Sequence, residues 1–163
     1  EVVVLPSGMT SKIAGIDLFD QELDQAYPPM SVTVRLEDDV DVSRGDMIAR
    51  VKNAPQPSQD IDAMICWMTT APLKPRQKLA IKHTTRTARA LVKDIQYRLD
   101  VNTLHRDQDT KELGVNEIGR VQLRTTVPLL CDPYSQNRTT GSFILIDEAT
   151  GVTVGAGMIN SLT

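Results

Sequence analysis

A chain of 163 residues with 18 basic and 21 acidic side chains carries a net charge of −3, with 40% hydrophobic and 24% charged residues. This is ordinary globular composition; it excludes a disordered tail, and the acidic balance argues against a general nucleic-acid binder. No apolar run approaches the roughly 18–20 residues that span a bilayer, and no positively charged start leads into a signal-like core. The two cysteines, Cys66 and Cys131, match neither CxxC nor a zinc spacing, so a reducing, cytoplasmic setting is expected.

Strand patterns follow one another along the chain. Met30 to Leu36 alternates apolar and polar at every step, which puts Met30, Val32, Val34 and Leu36 on one face. Ile61, Ala63, Ile65 and Trp67 repeat the pattern, Leu79 to His83 is a shorter run, and Leu91, Ile95, Tyr97, Leu99 and Val101 line one face of a long strand interrupted by Lys93. Val121, Leu123, Thr125 and Val127 follow, then Phe143 to Ile146 and Val152 to Met158. Helical signals are weak. Asp17 to Ala26 runs into Pro28-Pro29, which block continuation, and Arg86 to Lys93 merges with the alternation after it, so it reads as strand. Turn residues separate the runs at Pro6-Ser7-Gly8, Ser43 to Asp46, Ala71 to Pro75, Asp132-Pro133 and Glu148 to Gly151, which predicts an all-β barrel or sandwich protein.

Asn53 to Ser58, with Pro55 and Pro57, is the best linker. The roughly 100 residues after it suffice for a small barrel; the roughly 50 before it do not readily bury a core of their own. Charge is uneven. Residues 1–50 hold ten acids against four bases, a net of −6, whereas residues 71–93 hold seven bases and no acid. That basic stretch is either a solvated face with local ion partners or a surface for an acidic partner or a phosphate.

Tests for self-contained chemistry fail. No glycine opens a G-x-x-x-x-G-K-[ST] phosphate loop, and Gly155-Ala156-Gly157 lacks the helix a dinucleotide turn needs. A calcium loop started at Asp39 would have Arg44 where glycine is required and Arg50 where glutamate is required. His83 and His105 have no second ligand at metal spacing, no nucleophile elbow exists, and Asn137-Arg138-Thr139 is a glycosylation pattern without a secretory signal. No catalytic, cofactor-binding or metal-binding residue is therefore nominated.

Five stretches taken together resemble a known family: Val3 to Gly8, Val32 to Leu36, Asp41 to Ile48, Ile81 to Arg86, and above all Asn137 to Asp147, NRTTGSFILID. They are similar, in collinear order, to the large GTP-hydrolysing subunit of sulfate adenylyltransferase (CysN), including the form fused to adenylylsulfate kinase (CysN/CysC). The resemblance implies an arrangement like elongation factor Tu, a GTPase domain followed by two β-barrels. Residues 1–52 would be the later strands of domain II, the first barrel being incomplete, 53–58 a linker, and 59–160 the whole of domain III. It implies a parent enzyme, a nucleotidyltransferase of sulfate assimilation that makes adenylylsulfate and pyrophosphate from ATP and sulfate, coupled to GTP hydrolysis. GTP and Mg would belong to the parent's GTPase domain, and this fragment would be a non-catalytic scaffold. Implied partners are the small catalytic subunit (CysD-like), the chain's own GTPase domain and, in the fused form, an adenylylsulfate kinase domain, with no membrane.

On that reading Lys82, His83, Arg86, Arg89 and Arg138 are the partner-contact candidates; Arg86 and Arg138 could equally be internal ion-pair partners. The alternative is an RNA-binding barrel pair of a translation-factor-like GTPase. Net charge −3 and 4% aromatics weigh against it. An incomplete first barrel would also leave strand edges unpaired.

Overall fold

The computed structural model describes residues 1–162, the side chain of residue 162 excepted. The regular structure of the described residues is strand apart from a single 3-10 turn at Val51–Asn53, with no helix long and apolar enough to cross a membrane. The chain divides into two compact units between Pro55 and Gln56.

The first unit holds β1 (Val2–Leu5), β2 (Met9–Ser11), β3 (Ile13–Leu18), β4 (Gln21–Leu23), β5 (Thr33–Leu36) and β6 (Met47–Arg50). These make two antiparallel three-stranded sheets, β2-β1-β6 and β4-β3-β5, neither of which closes. Its buried apolar side chains are Val2, Val3 and Val4, while Val32, Val34 and Leu36 are half-buried. Arg35 on β5 bridges Asp17 on β3 and Glu22 on β4 at 2.7 and 2.8 Å, a three-strand charge cluster over Gly15. The strand expected from Met30 begins only at Thr33. The Met30 amide is spent on a turn, donating to the Tyr27 carbonyl at 2.9 Å, so residues 30–32 do not join a ladder.

The second unit holds β7 (Gln56–Trp67), β8 (Lys78–His83), β9 (Arg86–Leu99), β10 (Arg106–Asp107), β11 (Ile118–Cys131), β12 (Ser142–Ile146) and β13 (Thr153–Leu162). Their order is β10-β9-β11-β7-β13-β12-β8, and β8 also pairs with β9. Six strands thus close into an antiparallel barrel with β10 appended outside the ring, and closure removes the sheet edges. The all-β reading, with a closed second barrel and an unclosed first unit, agrees with the structure. Alternation fills the interior as expected from β7: Ile61, Ala63, Ile65 and Trp67 are all buried, and the Trp67 indole N–H donates to the Ala71 carbonyl at 2.7 Å. Gly157 on β13 leaves room for the ring of Phe143 on β12, which a Cβ would overlap. Burial pushes the Cys131 thiol up to about 12, so this cysteine is an inert core side chain.

Two expectations for this unit are corrected. In β9 the buried residues are Ala90, Val92 and Ile95; Leu91, Tyr97 and Leu99 share the outer face, and Val101 is exposed. Against β11, Val121 pairs with Ile95 and Arg120 with Tyr97, then Leu123 with Val92 and Gln122 with Asp94, so Gln96 and Lys93 are extra residues. Each bulge flips the alternation once, which no count of period two anticipates. The expected linker also ends earlier: Gln56, Pro57 and Ser58 belong to β7 and pair with Cys131, Leu130 and Leu129.

Candidate functional site

Alternation along β8 sorts the nominated residues. Leu79, Ile81 and His83 point into the barrel, and Lys82 points out. His83 is 1% exposed, so it is no direct contact in this state. Its Nε2 lies 2.7 Å from the Thr140 carbonyl, and since a carbonyl only accepts, Nε2 carries the proton. Burial pushes the His83 pKa down, partly opposed by that hydrogen bond and by Asp132. Arg86 is half-buried across the two-residue β8–β9 turn, paired in register with His83. Arg89 is exposed but engaged: its Nε donates to Glu148 at 2.6 Å, tying β9 to the turn after β12.

Lys82 and Arg138 share a groove of about 830 Å³ on the outer face of the barrel. Its floor is a cross-strand row, Lys82–Ile144–Ala156–Cys66–Ile118, read from β8 through β12, β13 and β7 to β11 by their registers. Met158, Thr84, Tyr134, Thr139 and Ser142 complete the wall. The lining contains no aspartate or glutamate, and among the described residues neither Lys82 nor Arg138 has an acidic partner. Thr84, at the apex of the β8–β9 turn, has φ 52°, a conformation that β-branched residues disfavour.

Arg138 stands on the loop that joins β11 to β12. Within it the Thr140 hydroxyl donates to Asp132 at 2.7 Å, Asn137 Oδ1 accepts from the Thr139 and Thr140 amides, and the Ser142 hydroxyl donates to the Arg138 carbonyl at 2.8 Å. Gly141 is packed so tightly that a Cβ would overlap the backbone of Tyr134 and Asn137. Its backbone also serves the loop, its amide donating to the Asn137 carbonyl at 2.8 Å.

Much of the basic stretch is neutralised locally: Lys74 by Glu112, Arg89 by Glu148 and Lys93 by Asp60. Asp60 also holds Arg124; burial works against its charge, yet Lys93 and Arg124 keep its carboxyl below the usual range. Asp62, 5% exposed, receives the Arg120 fork, which raises the Arg120 pKa and ties β11 to β7 on the outer face. Sequence reasoning did not single out Asp62 and Arg120, although both lie at outward positions of their alternating strands. Among the described residues no three His, Cys, Asp or Glu side chains converge in a way that could hold a metal ion, so none is assigned to one.

A closed antiparallel barrel with this strand order is matched by its residues as well. Positions 60–160 fit the family described as GTP-eEF1A C-terminal domain-like. The chain belongs to that family. Over 160 residues, 98% of its length, it is 56% identical to the bifunctional enzyme CysN/CysC of Mycobacterium tuberculosis, and over 159 residues 44% identical to sulfate adenylyltransferase subunit 1 of Alteromonas mediterranea. It spans 26% of the first relative and 34% of the second. Among solved structures, that of sup35 complexed with GDP superposes with a TM-score of 0.88 at 20% identity, covering 99% of this chain and 40% of that one. The last likeness establishes the fold alone. The similarity to CysN-type proteins expected from NRTTGSFILID therefore extends over nearly the whole of this GTP-eEF1A C-terminal domain-like chain.

Proposed function

We propose that this chain is the β-barrel portion of a GTP-dependent sulfate adenylyltransferase subunit, serving as scaffold and docking platform and carrying no reacting group itself. The observation that carries the reading is the 56% identity to CysN/CysC across 98% of the chain. The parent joins ATP and sulfate to adenylylsulfate and pyrophosphate in the cytoplasm, coupled to GTP hydrolysis. GTP and Mg bind in its GTPase domain, to which no residue of this chain is assigned. Residues 1–52 correspond to the later strands of a domain II barrel, and the second unit, which begins with β7 at Gln56, to domain III. The small catalytic subunit (CysD-like), the parent's GTPase domain and, in the fused form, an adenylylsulfate kinase domain are the partners to which these barrels give orientation. A closed barrel suits that work, because its hydrogen-bonded ring holds surface groups at fixed separations. A nucleotide-driven coupling needs surfaces that contact a partner differently in two states, which rigid barrels can present at a distance.

Lys74, Arg89 and Lys93 of the basic stretch each hold a local acid, which weighs against the RNA-binding alternative. A chimera tests the proposal. The matching segment of the Mycobacterium tuberculosis CysN/CysC protein is replaced by this chain, and GTP-dependent adenylylsulfate formation is measured with the small subunit present. Retained activity is expected; a folded chimera that hydrolyses GTP but makes no adenylylsulfate would refute it.

A further inference from the structure

Strand β8 places two different devices on adjacent residues: Lys82 faces the outer groove, and His83, turned inward, hydrogen-bonds the loop that carries Arg138. We infer that His83 is a positioning residue whose buried imidazole clamps the 132–141 loop, so that Arg138 and Lys82 form one preset two-cation site for a carboxylate of a partner protein. The inference rests on the docking role proposed above and adds the partner's chemistry.

Four observations carry it. The imidazole donates to the Thr140 carbonyl at 2.7 Å, and the Thr140 hydroxyl in turn donates to Asp132, so one residue links strand and loop. The loop is further fixed by the Tyr134 amide on the Ile159 carbonyl and the Ile159 amide on the Gly141 carbonyl, both at 2.8 Å. Gly141 is packed against the backbone of Tyr134 and Asn137, where a Cβ would overlap both, so the loop closes tightly on itself. Neither cation is spent on an acid among the described residues, and the groove lining is free of carboxylates. An apolar floor beside two uncommitted positive charges is complementary to a protein segment that sets a carboxylate next to apolar side chains. Fixing the loop backbone that carries Arg138 beforehand lowers the ordering cost of capture.

The test uses the 163-residue chain and purified small subunit as the probe. In His83→Ala, amide exchange in the 132–141 loop should rise about tenfold beyond any rise in β7, whose amides report global unfolding, the change that one lost net hydrogen bond makes to a local opening equilibrium. His83→Gln, which can still donate to Thr140, should restore protection, and Thr140→Val, which keeps the carbonyl, should loosen the loop less than His83→Ala. Loop exchange that does not change, or that rises only together with β7, overturns the clamp. Small-subunit binding should weaken in Lys82→Glu/Arg138→Glu and to a lesser degree in His83→Ala. Undiminished binding by the double variant removes the carboxylate site while leaving the sulfate adenylyltransferase assignment to the chimera. Absence of binding by the wild-type chain removes both the site and the small-subunit docking role.

Discussion

The two units use the same strands to opposite effect. Residues from Gln56 onward close a six-stranded ring around a core that runs from Ile61 to Ile159, whereas residues 1–55 make two open sheets around Val2, Val3 and Val4. The difference lies in closure more than in composition. In the ring every strand has a neighbour on both sides, so its inward residues are buried from both directions. In the open sheets the outer strands β2, β6, β4 and β5 lack a second strand neighbour among the described residues, and their apolar residues stay half-buried or exposed. Ile48 on β6 and Val42 before it are 38% and 41% exposed, beside Val32, Val34 and Leu36 in one groove. Such edges and faces invite pairing with further chain. Stability and partner chemistry are thus expected to reside in the second unit, and dependence on a neighbour in the first.

Core truncations should separate the units most sharply. Trp67→Ala should cost about 3–5 kcal/mol, because a fully buried indole and its bond to Ala71 are lost, while Val34→Ala in the open unit should cost about 1 kcal/mol. Denaturant unfolding followed by circular dichroism reads both, and equal costs would break the contrast. Next in size, Gly157→Ala should destabilise the barrel by about 1–3 kcal/mol by driving a methyl group into the Phe143 ring, whereas Gly8→Ala meets open space in the first unit and suffers only from its φ of 77°. Thermal melts of the two variants compare them directly.

A smaller effect concerns pH. Burial lowers the His83 pKa below its ordinary 6.5, so on acidification the unfolded chain takes up this proton before the folded chain does. Stability should therefore fall as pH drops below about 6.5, in the range where His83 protonates in the unfolded state and remains neutral in the folded one. The carboxylates held low, such as Asp60, act in a different window: their contribution is present above the ordinary carboxylate range and is lost only as pH falls through their lowered folded values. Between pH 7 and 5 the barrel's melting temperature should thus decline less in His83→Gln than in the wild type. Parallel declines would show that the imidazole is not what titrates.

How much of this was legible in the sequence depends on whether a feature is local. The interior of β7 and β8 is written in strict alternation, and the parity of Leu79, Ile81 and His83 already sends His83 inward, although His83 also stands among the contact candidates. The face of β9 was misread because bulges at Lys93 and Gln96 depend on the register of a strand some thirty residues away. The groove joins Lys82 to Arg138 only through the β8–β12 pairing, so the two nominated cations could not be separated from Arg89 before the topology was known. Arg89 met its acid, Glu148, through the same long-range pairing.

Native-state hydrogen exchange on the 163-residue chain tests the central contrast most directly. Amides of β7 and β11 should exchange only through global unfolding of the barrel, while those of β1 to β6 should exchange through openings of distinctly lower free energy. Equal protection of both units in a strict monomer would contradict it.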